Sequence, residues 1–491
     1  MKRINYINFI KKTALVLVAS GLTISCTDNF ASINTDPNSP TKVTPDLLLT
    51  PLLHNIVQGQ FNYDSGAGLA HQIAHTNYNE TEQYAFGTNE GTWSTYYLNL
   101  NNIEEMIKVS DRDNRPSCKA IAYVLKAFCI SQLTDMWGDV PYIEAVQGST
   151  KTTPKYDVQK DIYTADGGII SLLNQADNLL STGNDVLPSD LIYKGDRTKW
   201  RKLANSLRLR YLMRISNKAA DITTFNLKEE IRKAMSSPLM ETNADNMLLP
   251  FLNSRPNMSP IYEMRSGEFE YNRMSDEMAS VLNAFHDPRA AVWFAPTTNS
   301  ASTSSPAYKG VAVGCSSTTL EKIKYSMADV SMIGNYYRTT PDACSAILMN
   351  CSEVKFLQAE AIVRGLAAGN AKNLYEQGIN LSMNYYKVVM PSGYLSQEGV
   401  AYNENDAINE IMVQKWLSLF FVGYEAWFDY LRTGLPKQNT LLDNRNPTVS
   451  GGTPSRFYYP ENEQALNSEN YKQALEAHGG KDDINTKLWW E

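Results

Sequence analysis

The sequence is poor in cysteine and histidine, and it lacks the short signatures of common catalytic sites. It has 6 cysteines and 5 histidines in 491 residues, and no Cys-x-x-Cys pair. A disulfide-stapled scaffold and metal or redox chemistry at cysteine are therefore disfavoured. The sequence also has no Gly-x-Ser-x-Gly elbow, no phosphate-binding P-loop and no Gly-x-Gly-x-x-Gly run opening a helix. These absences favour a binding protein over an enzyme, and we predict no catalytic residue.

Positive charge and long apolar runs are also scarce. The formal net charge is -7 and the isoelectric point is about 5.5, which disfavours a nucleic-acid partner. After the N-terminus, no segment approaches the roughly 18 consecutive apolar residues of a transmembrane helix. The chain is nevertheless 43% hydrophobic over 491 residues, enough for a large core in one big domain or in about two or three ordinary ones.

Tyrosine and tryptophan, by contrast, are abundant. The sequence has 28 Tyr and 8 Trp against 15 Phe. These side chains combine a flat apolar face with a polar tip, which suits the recognition of sugar rings and of peptide side chains. For any single residue, a place in a large helical core remains the alternative.

Two residue patterns point weakly to a metal or a disulfide. His71 and His75 are spaced so that, on a helix, their imidazoles lie one turn apart and could hold zinc. The zincin motif requires Glu where Gln72 stands, so we interpret both histidines as structural and predict no metal site. Cys344 and Cys351 could pair only if the chain folds back between them, a question that the sequence leaves open.

The N-terminus has the architecture of a bacterial lipoprotein signal. Basic residues precede a short apolar segment, and Thr-Ile-Ser-Cys at residues 23–26 is similar to a lipobox. We predict a cleaved signal peptide over residues 1–25, a lipid-modified Cys26, and an extended tether, rich in Asn, Asp and Pro, over residues 26–44. The mature protein would then be exported and anchored to a membrane without spanning it.

Most of the remaining chain has helical periodicity. Thr44 and Pro45 predict a helix start, as N-cap and first residue. Helical patterns follow over residues 118–136, 161–180, 197–219, 352–386, 405–421 and 424–433. The segment 352–386 predicts a helical hairpin, capped by Ser352, that resembles a tetratricopeptide unit. One such unit cannot bury its own apolar face, so the helices around residues 118–180 and 197–227 are its predicted partners.

The helix predicted over residues 197–219 is unusually basic. It carries Arg201, Arg208, Arg210 and Arg214. In a chain that is acidic overall, we expect a solvated or carboxylate-paired face here in preference to an anion-binding one.

Two long segments lack helical periodicity. Residues 250–337 contain scattered aromatic side chains and a Ser/Thr/Ala run, and residues 437–455 hold Asn, Pro and Gly. Long structureless segments in a compact domain are commonly functional loops. We therefore expect recognition to be built in these segments.

A series of short motifs also runs in order along most of the chain. The series includes Asn34-Thr35-Asp36-Pro37-Asn38, Trp137-Gly138-Asp139-Val140-Pro141, Asn205-Ser206-Leu207-Arg208, Glu425-Ala426-Trp427-Phe428-Asp429 and Tyr459-Pro460-Glu461. In this number and order, the motifs resemble those of the SusD/RagB family of outer-membrane nutrient-binding lipoproteins.

The resemblance implies an all-α fold in which about four tetratricopeptide-like helix pairs form a scaffold under a loop-rich, irregular binding face. A SusD-like domain would span residues 45–491, with loop insertions at approximately residues 60–97, 250–340 and 437–455. It further implies a surface-exposed outer-membrane lipoprotein, not an enzyme, that captures glycan or sometimes peptide for a SusC-like TonB-dependent transporter. No cofactor is implied, and structural calcium in the Asn/Asp-rich loops cannot be assigned.

For the binding face we predict aromatic and arginine side chains in the irregular segments. The predicted ligand-binding residues are Tyr78, Tyr84, Trp93, Tyr262, Arg265, Tyr271, Tyr336 and Arg338. Trp93 lies where the resemblance places a stacking aromatic, so its replacement by alanine is expected to abolish ligand binding while leaving the fold intact.

Two other functions are kept as alternatives to oligosaccharide capture. A secreted glycan hydrolase needs two carboxylic acids that can be distant in sequence, and pairs such as Glu268 with Glu270 or Asp135 with Asp139 prove nothing without geometry. A scaffold or adhesion protein would use the helical repeats to hold another protein. Within the capture hypothesis, a peptide ligand remains an alternative to a glycan.

Overall fold

Helices make up most of the protein. The computed structural model describes residues 43–60, 65–185, 190–446 and 452–491. The α-helices in these ranges are Pro45–Gln60, Ser65–Leu69, Glu90–Arg112, Pro116–Trp137, Gln159–Thr164, Ile169–Thr182, Arg197–Arg214, Leu227–Ser236, Pro260–Glu263, Asp276–Ala284, Ala290–Trp293, Ser317–Lys322, Asn335–Arg338, Cys351–Val363, Ala371–Tyr385, Ala407–Ser418, Glu425–Thr433, Glu461–Leu466 and Ser468–Glu476. Short 3-10 helices lie at Ala145–Thr150, Ser216–Asp221, Asn243–Asp245, Glu268–Tyr271 and Tyr394–Ser396.

The strands are short and join segments that are distant in sequence. Three two-stranded antiparallel sheets occur in the described ranges. They pair Ile73–His75 with Asn272–Met274, Val140–Pro141 with Tyr156–Asp157, and Met247–Pro250 with Ser345–Met349. The predicted all-α class is confirmed, because these strands only pin loops onto the helical scaffold.

The scaffold consists of consecutive packed helix pairs. These pairs are Pro45–Gln60 with Glu90–Arg112, Pro116–Trp137 with Ile169–Thr182, Arg197–Arg214 with Leu227–Ser236, and Cys351–Val363 with Ala371–Tyr385. Neighbouring pairs also contact each other, so the apolar face of each pair is buried by the next. In the last pair, a Cβ at Gly378 would lie 2.7 Å from the Phe356 ring, which explains the small residue at this helix crossing.

Three predicted helix boundaries are wrong. The helix predicted over residues 197–219 ends at Arg214, and a 3-10 helix, Ser216–Asp221, follows it. The single helix predicted over residues 161–180 is two helices, Gln159–Thr164 and Ile169–Thr182, because the chain turns at Gly167 with a φ of +76°. The hairpin is capped by Asn350 and not by Ser352, since the Asn350 side chain accepts a hydrogen bond of 2.8 Å from the Glu353 amide.

The basic helix is indeed paired with carboxylates. Arg210 contacts Glu353 at 2.5 Å, Arg214 contacts Glu425 at 2.5 Å, and Arg201 contacts Asp177 at 2.7 Å. Arg208 is the exception, because it donates to the neutral side chains of Asn174 and Ser237. The predicted carboxylate-paired face is therefore confirmed for three of the four arginines, and much of it is buried.

The predictions for the cysteines and the N-terminus have different outcomes. Cys344 and Cys351 are free and buried, so they do not pair. No helix in the described ranges combines the length and the apolar character that a membrane crossing requires. The predicted signal peptide, Cys26 and nearly all of the predicted tether lie outside the described residues.

Candidate functional site

A polar cavity lies between the loop that follows the strand Ile73–His75 and the segment 264–272. Pairing of this strand with Asn272–Met274 brings the two segments together, with His75 opposite Asn272. Thr76 reinforces the connection, because its amide and hydroxyl both donate to the Tyr271 carbonyl, at 3.0 and 3.2 Å. The cavity has a volume of about 90 Å³. Its lining residues are Ser65, His75, Asn77, Tyr78, Asn79, Thr81, Glu82, Met264, Glu268, Phe269 and Asn272.

Two of the predicted tyrosines lie at or next to this cavity: Tyr78 lines it, and Tyr271 directly precedes the lining residue Asn272. Tyr78 and Tyr271 pack edge to face, with ring centroids 6.3 Å apart. Tyr78 is 65% exposed and has a φ of +54°, in the left-handed region that few non-glycine residues adopt. Because much of the Tyr78 side chain is exposed to solvent, it is accessible to a ligand that stacks on aromatic rings.

Three further predicted residues lie on the adjoining surface. The Arg265 guanidinium lies 3.7 Å from the centroid of the Tyr262 ring and donates to the Tyr262 carbonyl at 2.5 Å. The short helix Pro260–Glu263 packs against Asn335–Arg338, which carries Arg338. Tyr78 thus contacts Tyr271, Arg265 contacts Tyr262, and the helix that carries Tyr262 packs against the one that carries Arg338; their role in ligand binding stays a prediction.

The loop that carries Tyr78 is held by a buried carboxylate. Glu82 is 2% exposed and accepts hydrogen bonds from the His75 amide at 2.9 Å and the Gly314 amide at 3.3 Å. A further contact of 2.5 Å joins Glu82 to Nδ1 of His75. These bonds fix both ends of the 75–82 loop, so the position of Tyr78 is set by the fold and not by its own packing.

The two histidines do not lie on one helix. His71 occupies a turn with a φ of +54°, and His75 lies at the end of a strand. Each binds a different carboxylate: Nδ1 of His71 lies 2.6 Å from Glu277, and His75 contacts Glu82. The helical zinc spacing considered for the pair is therefore wrong, and both imidazoles tie loops to the scaffold.

Of the other three predicted residues, Tyr84 and Trp93 are buried and Tyr336 is half-buried. Tyr84 is 4% exposed, its hydroxyl is bound to Thr453, and burial raises its pKa to about 12. Tyr336 packs on Tyr386, and burial likewise raises its pKa to about 12. Trp93 belongs to the helix Glu90–Arg112 instead of a loop, so the irregular segment predicted to run to residue 97 ends before it.

Trp93 is the clearest departure from the sequence prediction. It is 6% exposed and packs edge to face on Trp137, with centroids 5.2 Å apart. Tyr97 and Tyr459 surround it at 4.9 and 6.3 Å. Neither face of this ring is open to a sugar, so we omit it from the site proposed below.

Of the carboxylates considered for catalysis, Glu268 lines the polar cavity, whereas Asp135 and Asp139 are engaged elsewhere. Asp135 is fully buried among Arg214, Tyr163 and Trp490, and this burial raises its pKa to about 6. Asp139 accepts from the Gln159 amide at 2.8 Å and contacts His478 at 2.9 Å. Neither carboxylate borders the polar cavity described above.

Some lining residues were missed by the sequence analysis. Asn77, Asn79 and Asn272 supply amides to the cavity, although Asn79 already donates to the Cys315 carbonyl at 2.6 Å. The run Asn77-Tyr78-Asn79, polar residues flanking an aromatic in a loop, is the signal that could have identified them. A second cavity of about 370 Å³ lies near His54 and Phe251, but its lining is mainly apolar and offers few partners for sugar hydroxyls.

The comparisons with known proteins agree with this architecture. The family model described as starch-binding and associating with the outer membrane matches residues 37–460. The chain belongs to the SusD-like family. Members of this family are binding proteins associated with the outer membrane and with nutrient glycans.

Solved structures of other SusD-like proteins superpose well on this one. A SusD homologue from Bacteroides fragilis is 29% identical, covering 91% of this chain and 99% of that one, with a TM-score of 0.78. A second from the same species is 28% identical, covers 91% and 100%, and has a TM-score of 0.81. A chitin-binding SusD homologue from Flavobacterium johnsoniae is 25% identical, covers 91% and 98%, and has a TM-score of 0.76. None of the curated proteins matches the sequence.

Proposed function

We propose that this SusD-like protein captures nutrient oligosaccharides at the bacterial surface and delivers them to a SusC-like TonB-dependent transporter. The observation that carries the proposal is the Tyr78–Tyr271 pair, an exposed aromatic platform beside a polar cavity. Sugar rings present a C–H face that packs on such a platform, and their hydroxyls hydrogen-bond to polar groups around it. Asn77 and Glu268, both on the cavity lining, are suited to that second role.

The platform is built for binding without reorganisation. Glu82 and the strand pairing of His75 with Asn272 hold both tyrosine-bearing segments in place before any ligand arrives. A preorganised site avoids the entropic cost of ordering loops on binding. The proposed contacts are therefore Tyr78, Tyr262, Arg265, Tyr271 and Arg338.

Replacing either tyrosine of the platform by alanine should weaken oligosaccharide binding about tenfold, since each ring contributes roughly one stacking contact. Calorimetric titration of the protein without its first 26 residues, against soluble starch and chitin oligosaccharides, measures this. Tyr123→Ala, which removes a half-buried tyrosine on the helix Pro116–Trp137, is the matched control and should leave the affinity unchanged.

The same titration separates the alternatives. Products of cleavage in the recovered ligand would establish a hydrolase and contradict the proposal. Saturable binding of peptides but not of oligosaccharides would assign a peptide ligand. Absence of binding to both classes would favour a scaffold or adhesion protein.

We also propose that Cys26 carries the lipid that anchors the protein to the outer membrane. In a bacterium that makes the full chain, Cys26→Ser is expected to shift it from the membrane fraction to the soluble fraction. The wild-type protein, extracted in detergent and purified by affinity, should bring a TonB-dependent transporter with it. A membrane-bound Cys26→Ser protein would contradict the anchor, and purification without any transporter would contradict the partner.

A further inference from the structure

Three arginines converge beside the aromatic platform. Arg265 lies against Tyr262, Arg273 follows Tyr271 and Asn272 in the strand Asn272–Met274, and Arg338 ends the helix Asn335–Arg338. The backbone of Arg273 bridges to Met332, and Nη1 of Arg338 contacts the Met332 sulfur at 2.9 Å. We call Arg265, Arg273 and Arg338 the arginine cluster.

Within the described ranges, the arginine cluster forms no salt bridge to a carboxylate. Among the described residues, no Asp or Glu oxygen lies within 4.0 Å of a guanidinium nitrogen of these three arginines. Other buried arginines do form salt bridges: Arg289 contacts Asp287 at 2.6 Å, and Arg210 contacts Glu353 at 2.5 Å.

The missing partners are notable because part of the cluster is buried. Arg273 is 3% exposed, and its Nε has no hydrogen-bond partner in the described part of the chain. Nε of Arg338 is also buried without a partner there. A buried donor that bonds to nothing costs free energy, and a buried cation costs more unless an anion offsets it.

Neighbouring charges add to the positive character of this surface. Burial lowers the pKa of the Arg338 guanidinium; Glu270 opposes this effect, whereas Arg273 and Arg265 lower the pKa further. The negative charge of Glu270 therefore stabilises the Arg338 cation, whereas the positive charges of two other arginines destabilise it. A chain with a net charge of -7 nevertheless gathers three arginines at one point.

We propose that the arginine cluster binds the carboxylate or sulfate groups of an acidic oligosaccharide, whose sugar rings stack on Tyr78 and Tyr271. Guanidinium groups bind carboxylate and sulfate oxygens through paired, charge-assisted hydrogen bonds. The half-buried Arg265 and Arg338 would contact such a group directly, and its negative charge would offset that of the buried Arg273. This inference rests on the proposed oligosaccharide function and names its substrate class as anionic.

The experiment compares acidic and neutral oligosaccharides of similar length by calorimetry. Oligogalacturonides supply carboxylates, chondroitin sulfate oligosaccharides supply sulfates as well, and maltoheptaose and chitohexaose are neutral. We expect at least one acidic ligand to bind about tenfold more tightly than both neutral ones at low salt, and this preference to shrink as NaCl is raised. Whether oligogalacturonide or sulfated ligand binds more tightly distinguishes the two anionic groups.

Variants then locate the anion site. Arg338→Gln should weaken binding of the preferred acidic ligand about tenfold and binding of a neutral one by a smaller factor, because a neutral hydroxyl loses only an uncharged hydrogen-bond partner. Arg255→Gln is the matched control, because Arg255 is 80% exposed in the same region and already pairs with Glu263 at 2.9 Å. It removes one positive charge without touching the arginine cluster, so it should have little effect.

Arg273 is buried, so a single substitution could weaken binding simply by disturbing the fold. Two substitutions are therefore compared, one that keeps the positive charge and one that removes it. Arg273→Lys keeps the charge and should retain more of the preference for acidic ligands than Arg273→Gln, with thermal melts reporting whether each variant folds. The salt dependence of ligand binding to the wild-type protein tests, without any variant, whether charge contributes to binding at all.

Two results would overturn the inference in different ways. Equal binding of neutral and acidic oligosaccharides, unaffected by Arg338→Gln, would contradict the anionic substrate while leaving oligosaccharide capture standing. Binding of acidic peptides alone would contradict both.

Discussion

Replacing Glu425 by alanine is expected to lower the free energy of unfolding by about 3–5 kcal/mol, the cost of removing a carboxylate that two buried arginines share. Glu425 is 3% exposed and lies between two arginines of the basic helix, 2.5 Å from Arg214 and 3.5 Å from Arg210. Gln132 donates a further hydrogen bond of 3.3 Å to it. Urea unfolding followed by circular dichroism measures the change.

The same carboxylate should make stability depend on pH. Arg210 and Arg214 hold the pKa of Glu425 below its usual range, although burial opposes them. For an acid whose pKa is lower in the folded state, the stabilisation is present above the unfolded pKa, about 4.3, and is lost as pH falls through the folded one. The wild-type protein should therefore lose stability below about pH 4 more steeply than Glu425→Gln does.

An exposed ion pair provides the control for this prediction. Glu229 pairs with Arg232 at 2.6 Å, but the two side chains are 63% and 48% exposed. Glu229→Ala should change the free energy of unfolding by less than about 1 kcal/mol, because water and salt screen such a pair. A Glu425→Ala protein as stable as Glu229→Ala would show that the buried network contributes no more than a surface ion pair.

The scaffold could be predicted from the sequence because its signals are local. The apolar spacing of the helix Pro116–Trp137, the turn at Gly434 after Glu425–Thr433, and the small residue at Gly378 each act within a few residues of chain. Pairing of the arginines on the helix Arg197–Arg214 with carboxylates could also be predicted, because arginines that become buried in an acidic chain need carboxylate partners.

The candidate site was predicted only in part because it depends on contacts between distant segments. Pairing of Ile73–His75 with Asn272–Met274 joins residues about 200 positions apart, and the hydrophobic periodicity of the sequence does not predict it. That pairing decides which aromatic residues face water. Tyr78 and Trp93 are both aromatic residues in a stretch predicted to be irregular, yet one is 65% exposed and the other 6%.

The position of Trp93 on a helix explains why its side chain is buried in the core. Glu90 begins a helix of 23 residues, and Trp93, Tyr96, Leu100 and Ile103 fall on its buried face. Asn89, Gly91 and Thr92 precede or open this helix and resemble loop residues, which concealed its start. The buried residues at helical spacing were the signal that should have outweighed them.

Trp93→Ala is therefore expected to destabilise the fold by about 3–5 kcal/mol, instead of abolishing binding in an intact protein. Removing the indole leaves a cavity among the rings of Tyr97, Trp137 and Tyr459. These rings are held by their own helices and loops, so they cannot readily move to fill it. Chemical unfolding measures the loss, and titration at a temperature where the variant is still folded measures its affinity for oligosaccharide.

Tyr78→Ala should behave in the opposite way, and the comparison tests the placement of the site. Its ring is exposed, so truncation should change the free energy of unfolding by no more than about 0.5 kcal/mol while weakening oligosaccharide binding. Because the two substitutions remove aromatic rings only 15 residues apart in sequence, they differ mainly in whether the ring faces water or core. A stable Trp93→Ala protein without affinity, beside a Tyr78→Ala protein with full affinity, would move the binding face from the Tyr78–Tyr271 platform to the region of Trp93.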